Sequence, residues 1–144
     1  KNLEEKQKEQ KMKSKNIAHK MLYLLAIAFS TFCLLLMIIG VWIGHEVNRL
    51  CQEGKWEYHQ TDCVNALIMI LDDERQGYRT RNQAIWALGQ LGDQRALMTL
   101  QKYYTAQIPD REPLDEMISQ YELQKALKLV QGGPNLLALL WRFD

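Results

Sequence analysis

Charge is what the sequence lacks from Met21 to Gly44: "MLYLLAIAFSTFCLLLMIIGVWIG" holds no Asp, Glu, Lys or Arg. A small soluble domain does not enclose an uncharged run of this length. As a helix it would reach about 36 Å, enough to cross a bilayer core of about 30 Å with some tilt. An A-x-A cleavage site is also lacking, and the run is too long for a secretory h-region, so residues 21–44 are expected to stay as a transmembrane helix. Net charge is nearly absent, at +1. No basic groove interleaved with aromatics occurs, so nucleic acid is not expected as a partner. Histidine is scarce: His19, His45 and His59 all lie outside the helical repeats described below. There is no Gly-rich phosphate loop, because "GQLG" and "QGG" stand in helix-ending contexts, and no Ser in a nucleophile elbow. The acidic run Asp72 to Glu74 reads as a solvated turn. No catalytic, cofactor-binding or metal-binding residues are therefore expected, and the chain is not expected to be an enzyme.

The flanks of the uncharged run are unequal. Lys6, Lys8, Lys11, Lys13, Lys15 and Lys20 precede it, and only Arg49 and Lys55 follow over a similar distance. Lys and Arg favour the cytoplasmic side. Residues 1–20 are therefore expected in the cytoplasm and the C-terminal part outside it, which in a bacterium places a single-pass protein in the inner membrane with a periplasmic domain. The first residue is Lys1 rather than Met, so upstream sequence is expected. Residues 45–61 read as a juxtamembrane linker, and Trp42 at the end of the run, with Trp56 and Tyr58 of the linker, suits an aromatic belt or a loop near the headgroups. Cys51 and Cys63 lie in the compartment expected to be oxidising, where a disulfide would close a short loop. A zinc site from His45, Cys51, His59 and Cys63 matches no compact finger spacing and would need both thiols free of that bond. Cys33, inside the apolar run, is given no role.

From Asp62 onward the apolar residues recur with helical period. A first helix is expected over about Asp62 to Leu71. A second carries Ala84, Ala87, Leu88 and Leu91 and ends at Gly92, after which Asp93 is placed to cap a third carrying Ala96, Leu97, Leu100 and Tyr104. Pro109 and Pro113 break the chain. A fourth helix is expected over about Leu114 to Val130, and "NLLALLWRF" closes as a short apolar helix. "CVNALIMIL" aligns with "ALMTLQKYY", and "ALGQLGDQRALMTL" aligns with "ALKLVQGGPNLLALL". Such repetition is the mark of stacked helical hairpins, none of which buries its apolar face alone.

The stretch "TRNQAIWALGQLGDQRALMTL" resembles the HEAT-like repeat of the phycobilisome-lyase type, through Arg81, Ala84, Ala87, Leu88, Gly89, Leu91, Gly92, Asp93, Ala96, Leu97 and Leu100. The resemblance covers about one repeat. It implies close helix approach at the small residues, a turn at Gly92 and Asp93, and Arg81 bracing the preceding acidic turn at Asp72 or Asp73. The fold class expected is all-α: one transmembrane helix, then a short α-solenoid of HEAT-like hairpins over residues 62–144. Some members of that family attach or detach bilins, so a chromophore-handling lyase is the alternative the resemblance carries.

Apolar residues left outside the repeat's inner face mark candidate partner contacts. Trp86 points away from the face set by Ala84, Ala87, Leu88 and Leu91. In the last helix Leu137, Leu140, Trp141 and Phe143 would either fold back over the fourth helix or dock on another subunit. Together these features point to a scaffold or accessory subunit of a larger membrane complex, with other subunits of that complex as partners and the bilayer held through residues 21–44. A redox sensor using Cys51 and Cys63 is a further alternative.

Overall fold

The structure, a computed structural model, describes residues 2–142, with side chains for residues 16, 17 and 19–142. It is all-α, with no strand among the described residues. Helix α1 runs Asn2–Tyr58, α2 Cys63–Asp72, α3 Tyr78–Leu91, α4 Leu97–Tyr103 and α5 Gln120–Val130; one 3-10 turn, Gln94–Ala96, precedes α4 and another, Leu136–Leu140, follows α5. The chain divides into two compact units, Lys1–Ile39 and Gly40–Asp144.

The first unit is helical, and most of its apolar side chains, among them Met21, Leu25, Phe29 and Ile38, are exposed. By length and composition the stretch His19–Tyr58 contains a window able to cross a membrane. Thr31 Oγ1 donates to the Ala28 carbonyl at 2.9 Å, so its hydroxyl is satisfied inside the helix.

The second unit has one core. Residues 45–61 do not form a linker: α1 continues to Tyr58 and supplies Ile43, Val47, Leu50 and Cys51 to that core. Their i, i+4, i+7, i+8 spacing is a helical face, interrupted in sequence by Glu46, Asn48 and Arg49 on the other side. The helix stops when His59 takes a left-handed conformation (φ 52°) and the Gln60 N–H reaches back to the Lys55 carbonyl. That is the Schellman arrangement, here without glycine. Tyr58 Oη then donates to Asp73 at 2.8 Å, and Gln76 Nε2 donates to Glu57 at 2.8 Å, tying the end of α1 to the α2–α3 turn.

Asp62 caps α2 by accepting the Asn65 N–H at 3.0 Å. Its carboxylate also takes both Arg95 amino groups, and Arg95 grips Asp93 as well, so one guanidinium joins two cap residues. Helix α3 packs on α2 on one side and on α5 on the other. Gly89 makes the second contact possible: a Cβ there would lie 2.8 Å from Ala126 Cα of α5. The close approach thus runs between α3 and α5. Gly92 ends α3 at φ 63°, a conformation that glycine adopts without a Cβ clash, and Asp93 caps the following turn through the Arg95 N–H.

Two later elements differ from the sequence expectation. Residues 114–119 are not helical, and α5 begins only at Gln120. Ser119 Oγ accepts the Glu122 N–H at 3.0 Å, and the Glu112 carboxylate takes the Gln120 and Tyr121 N–H groups, so the helix is capped from outside and has no need of an earlier turn. The C-terminal segment forms a 3-10 turn rather than an α-helix. It seats on α1 rather than over α5: the Leu140 and Trp141 side chains fill the space where Gly40 and Gly44 lack a Cβ.

Candidate partner-binding cleft

An open cleft of about 540 Å³ lies on the second unit. Trp42 and Glu46 of α1 form one wall, Arg79, Asn82, Gln83 and Trp86 of α3 the floor, and Leu114, Asp115 and Glu122 the far wall. The sequence places these residues far apart, and three local devices bring them together. The first is the α1 face that buries Ile43 and Val47, which leaves Trp42 exposed and Glu46 half-exposed on the outer side. The second is α3, whose buried Ala84, Ile85, Ala87 and Leu88 fix the phase of Gln83 and Trp86.

The third device is Asn82. Its buried amide donates to the Leu114 carbonyl at 2.9 Å and the Met117 carbonyl at 2.8 Å, and its Oδ1 accepts the Ser119 N–H at 2.9 Å. These bonds hold the irregular segment 114–119 against α3 and so set the wall carrying Leu114 and Asp115. No sequence pattern singled out Asn82.

The cleft is apolar at its tryptophans and acidic at its edge, with Glu46, Asp115 and Glu122 against one cation, Arg79. Glu46 is paired to Arg49, whose hydrogen bond holds its carboxyl below the usual range. Glu122 pairs with Lys125 at 2.7 Å. Trp86 is half-buried: it packs on the core with one face and lines the cleft with the other. It also borders a smaller hollow beside Gly89 and Leu129.

The repeat-motif residues serve the scaffold. Arg81 does not bond Asp72 or Asp73. Its Nε donates to the Leu71 carbonyl at 2.9 Å, and its guanidinium stacks between the Tyr78 and Tyr103 rings, at 5.9 and 5.5 Å. A cation at the C-terminal end of α2 meets the free carbonyls there. Asp72 instead accepts from Lys102 and Tyr103 at 2.8 and 2.6 Å. Burial raises its carboxyl, but those bonds and the nearby Arg81 charge outweigh burial and leave it below the usual range.

Cys51 and Cys63 are joined, with Cα atoms 5.0 Å apart, linking α1 to the start of α2. His45, His59 and the two sulfurs do not gather: no group of three potential metal-ligating side chains occurs among the described residues. Leu137, Leu140 and Trp141 are half-buried, Leu136 and Leu139 are the exposed leucines of that turn, and Phe143 lies outside the described residues. The Trp141 indole N–H is buried without a hydrogen-bond partner. Asn135 Nδ2 donates to Gln90 Oε1 at 3.0 Å, and the Arg142 guanidinium donates to the Gln90 carbonyl, so both ends of the turn are pinned to α3.

No curated protein and no solved structure matches the chain. Residues 80–105, from the first turn of α3 through α4, match the family described as PBS lyase HEAT-like repeat.

Proposed function

We propose that the chain is a membrane-anchored HEAT-like adaptor, an accessory or assembly subunit of a larger bacterial membrane complex that works by binding a protein segment in the cleft. The observation that carries this reading is the cleft itself, where Trp42 and Trp86 offer apolar surface beside the Asp115 carboxylate. Tryptophans in a partly desolvated groove are the residues that anchor protein contacts. The complementary partner is an apolar segment carrying Lys or Arg. The uncharged run 21–44 supplies the anchor, and the lysines before it support a cytoplasmic N-terminus. The Cys51–Cys63 bond supports an extracytoplasmic second unit.

The test is site-specific photo-crosslinking from position 79, which also lines the cleft, in native membranes with the full chain. A single crosslinked partner that disappears in a Trp42→Ala variant of unchanged stability supports the adaptor, Trp42 being the exposed tryptophan of the cleft. Labelling that is diffuse, or that Trp42→Ala leaves unchanged, overturns it. A purified chain carrying stoichiometric pigment absorbance would favour the lyase alternative.

A further inference from the structure

The 3-10 turn Leu136–Leu140 presents its side chains in two sets. Leu140, with Trp141 beyond it, sits on the Gly40 and Gly44 surface of α1, where added Cβ atoms would come within 2.8 and 2.7 Å of them. Leu136 and Leu139 face the other way and are 78 % and 74 % exposed. Residues three apart eclipse each other in a 3-10 helix, so these two leucines form one continuous apolar face. The turn cannot rotate them inward, because Asn135 and Arg142 hold its ends to Gln90.

What covers that face is indicated by where the turn is seated. Gly40 and Gly44 belong to the last turns of the uncharged run that ends at Gly44. Val41 and Trp42, between them in sequence, are themselves exposed apolar residues. Whatever depth these turns of α1 reach in a bilayer, Leu140 and Trp141 reach with them. The exposed Arg142 that ends the segment suits a lipid interface.

We propose that Leu136–Leu140 is a second membrane contact, a short interfacial element that places Leu136 and Leu139 in the lipid of the leaflet in which the uncharged run ends. The proposal rests on the reading of residues 21–44 as a membrane span. It gives the second unit two attachments to one leaflet, the continuous helix and the pinned turn. Neither leucine needs a protein partner.

Nitroxide labels report the outcome in the full chain, with Cys33→Ala and the native disulfide retained. The protein is reconstituted in vesicles of phosphatidylcholine with a minority of phosphatidylglycerol. Labels at Leu35→Cys, Leu139→Cys and Met98→Cys are compared by relaxation with oxygen, which partitions into lipid, and with a nickel chelate, which stays in water. Leu136→Cys repeats the reading at a second site on the same face. The proposal expects labels 139 and 136 to lose nickel relaxation and gain oxygen relaxation relative to label 98, as label 35 does. Nickel-accessible labels at 139 and 136 beside a lipid-exposed label 35 overturn the turn's role and leave the span standing. Nickel access at position 35 overturns both. Labels at 139 and 136 shielded from both reagents mean that protein covers the face, and also overturn the proposal.

Discussion

Replacing Asn82 by alanine removes three hydrogen bonds at once, and their surroundings set the cost. The Ser119 residue is only 1 % exposed, so its N–H would be left buried without an acceptor. An unsatisfied buried donor costs about 1–3 kcal/mol. The two carbonyls that Asn82 holds belong to Leu114, which is 48 % exposed, and half-buried Met117. Water can reach these more readily, so each lost bond is worth nearer the net value of about 0.5–1 kcal/mol. The segment 114–119 should therefore lose about 2–5 kcal/mol of its hold on α3. The assay is amide hydrogen exchange of the full chain in detergent, read by peptides across 110–119 and, as a reference, across α2. Protection should fall by roughly 30- to 4,000-fold in 110–119, since each 1.4 kcal/mol is a factor of ten. Exchange of α2 should change far less. Crosslinking from position 79 should weaken in parallel, because the same bonds set the far wall of the cleft. Unchanged exchange across 110–119 would refute the claim that one amide positions that wall.

Gly89→Val forces side-chain atoms onto the Ala126 backbone and should cost at least about 1–3 kcal/mol in urea unfolding, the range for overpacked cores; the same change at Gly77, where no atom lies within 4 Å, should lack that overpacking cost. His59→Gly relieves a left-handed residue worth about 1–2 kcal/mol but restores backbone freedom worth about 0.5–1 kcal/mol, so a net gain of about 0.5–1 kcal/mol is expected from thermal unfolding. Reduction of Cys51–Cys63 should lower the stability of the second unit by about 3 kcal/mol, the chain-entropy value for so short a loop, and Cys51→Ala with Cys63→Ala should reproduce it. Acid should act late. Glu46 is held below the usual range by Arg49, Asp62 by the Asn65 N–H and then Arg95, and Asp93 by Arg95. Depressed carboxylates contribute fully above their unfolded pKa of about 4, so stability should be flat from about pH 8 to 5 through these groups. It should fall as pH drops below about 4, and Asp62→Asn should shrink that fall.

Legibility followed the range of the interaction. Gly92 and Asp93 act within a few residues of themselves, and their turn was readable as written. The start of α5 was equally local, since "SQYE" carries the Ser and Glu of a capped helix, but the apolar residues upstream masked it. Residues 45–58 were misread for another reason. Charged side chains on one face of α1 lowered the average hydropathy, while Ile43, Val47, Leu50 and Cys51 kept a core-facing stripe on the other. The site was the least legible part. Trp86 stood out by phase alone, but its companions Trp42, Leu114 and Asp115 come from segments joined only by tertiary contacts, above all those of Asn82. Leu137 and Leu140 are half-buried where Leu136 and Leu139 are exposed, because Leu140 seats on Gly40 and Leu137 packs on the core, a choice between faces that an all-apolar segment does not reveal.

The residues that carry the family likeness are also the ones engaged inside the chain. Arg81 binds the Leu71 carbonyl, Gly89 admits α5, Gly92 reverses the backbone, and Asp93 holds Arg95. A motif whose members make the chain's own turns and helix contacts builds the fold, and says little about function. On the proposed adaptor reading, partner choice is carried by residues the motif leaves free. In the cleft these are Trp42, Trp86 and Asp115, two anchors and a carboxylate to which no partner-recognition role falls from the repeat itself. The division makes a separable expectation. Arg81→Ala should unfold the second unit, because it strands a carbonyl and empties the slot between Tyr78 and Tyr103. Asp115→Lys should leave unfolding within about 0.5 kcal/mol of the native chain, as surface changes do, and yet abolish crosslinking to a basic segment. An Asp115→Lys chain that is equally stable and still captures the same segment would place recognition elsewhere than in this cleft.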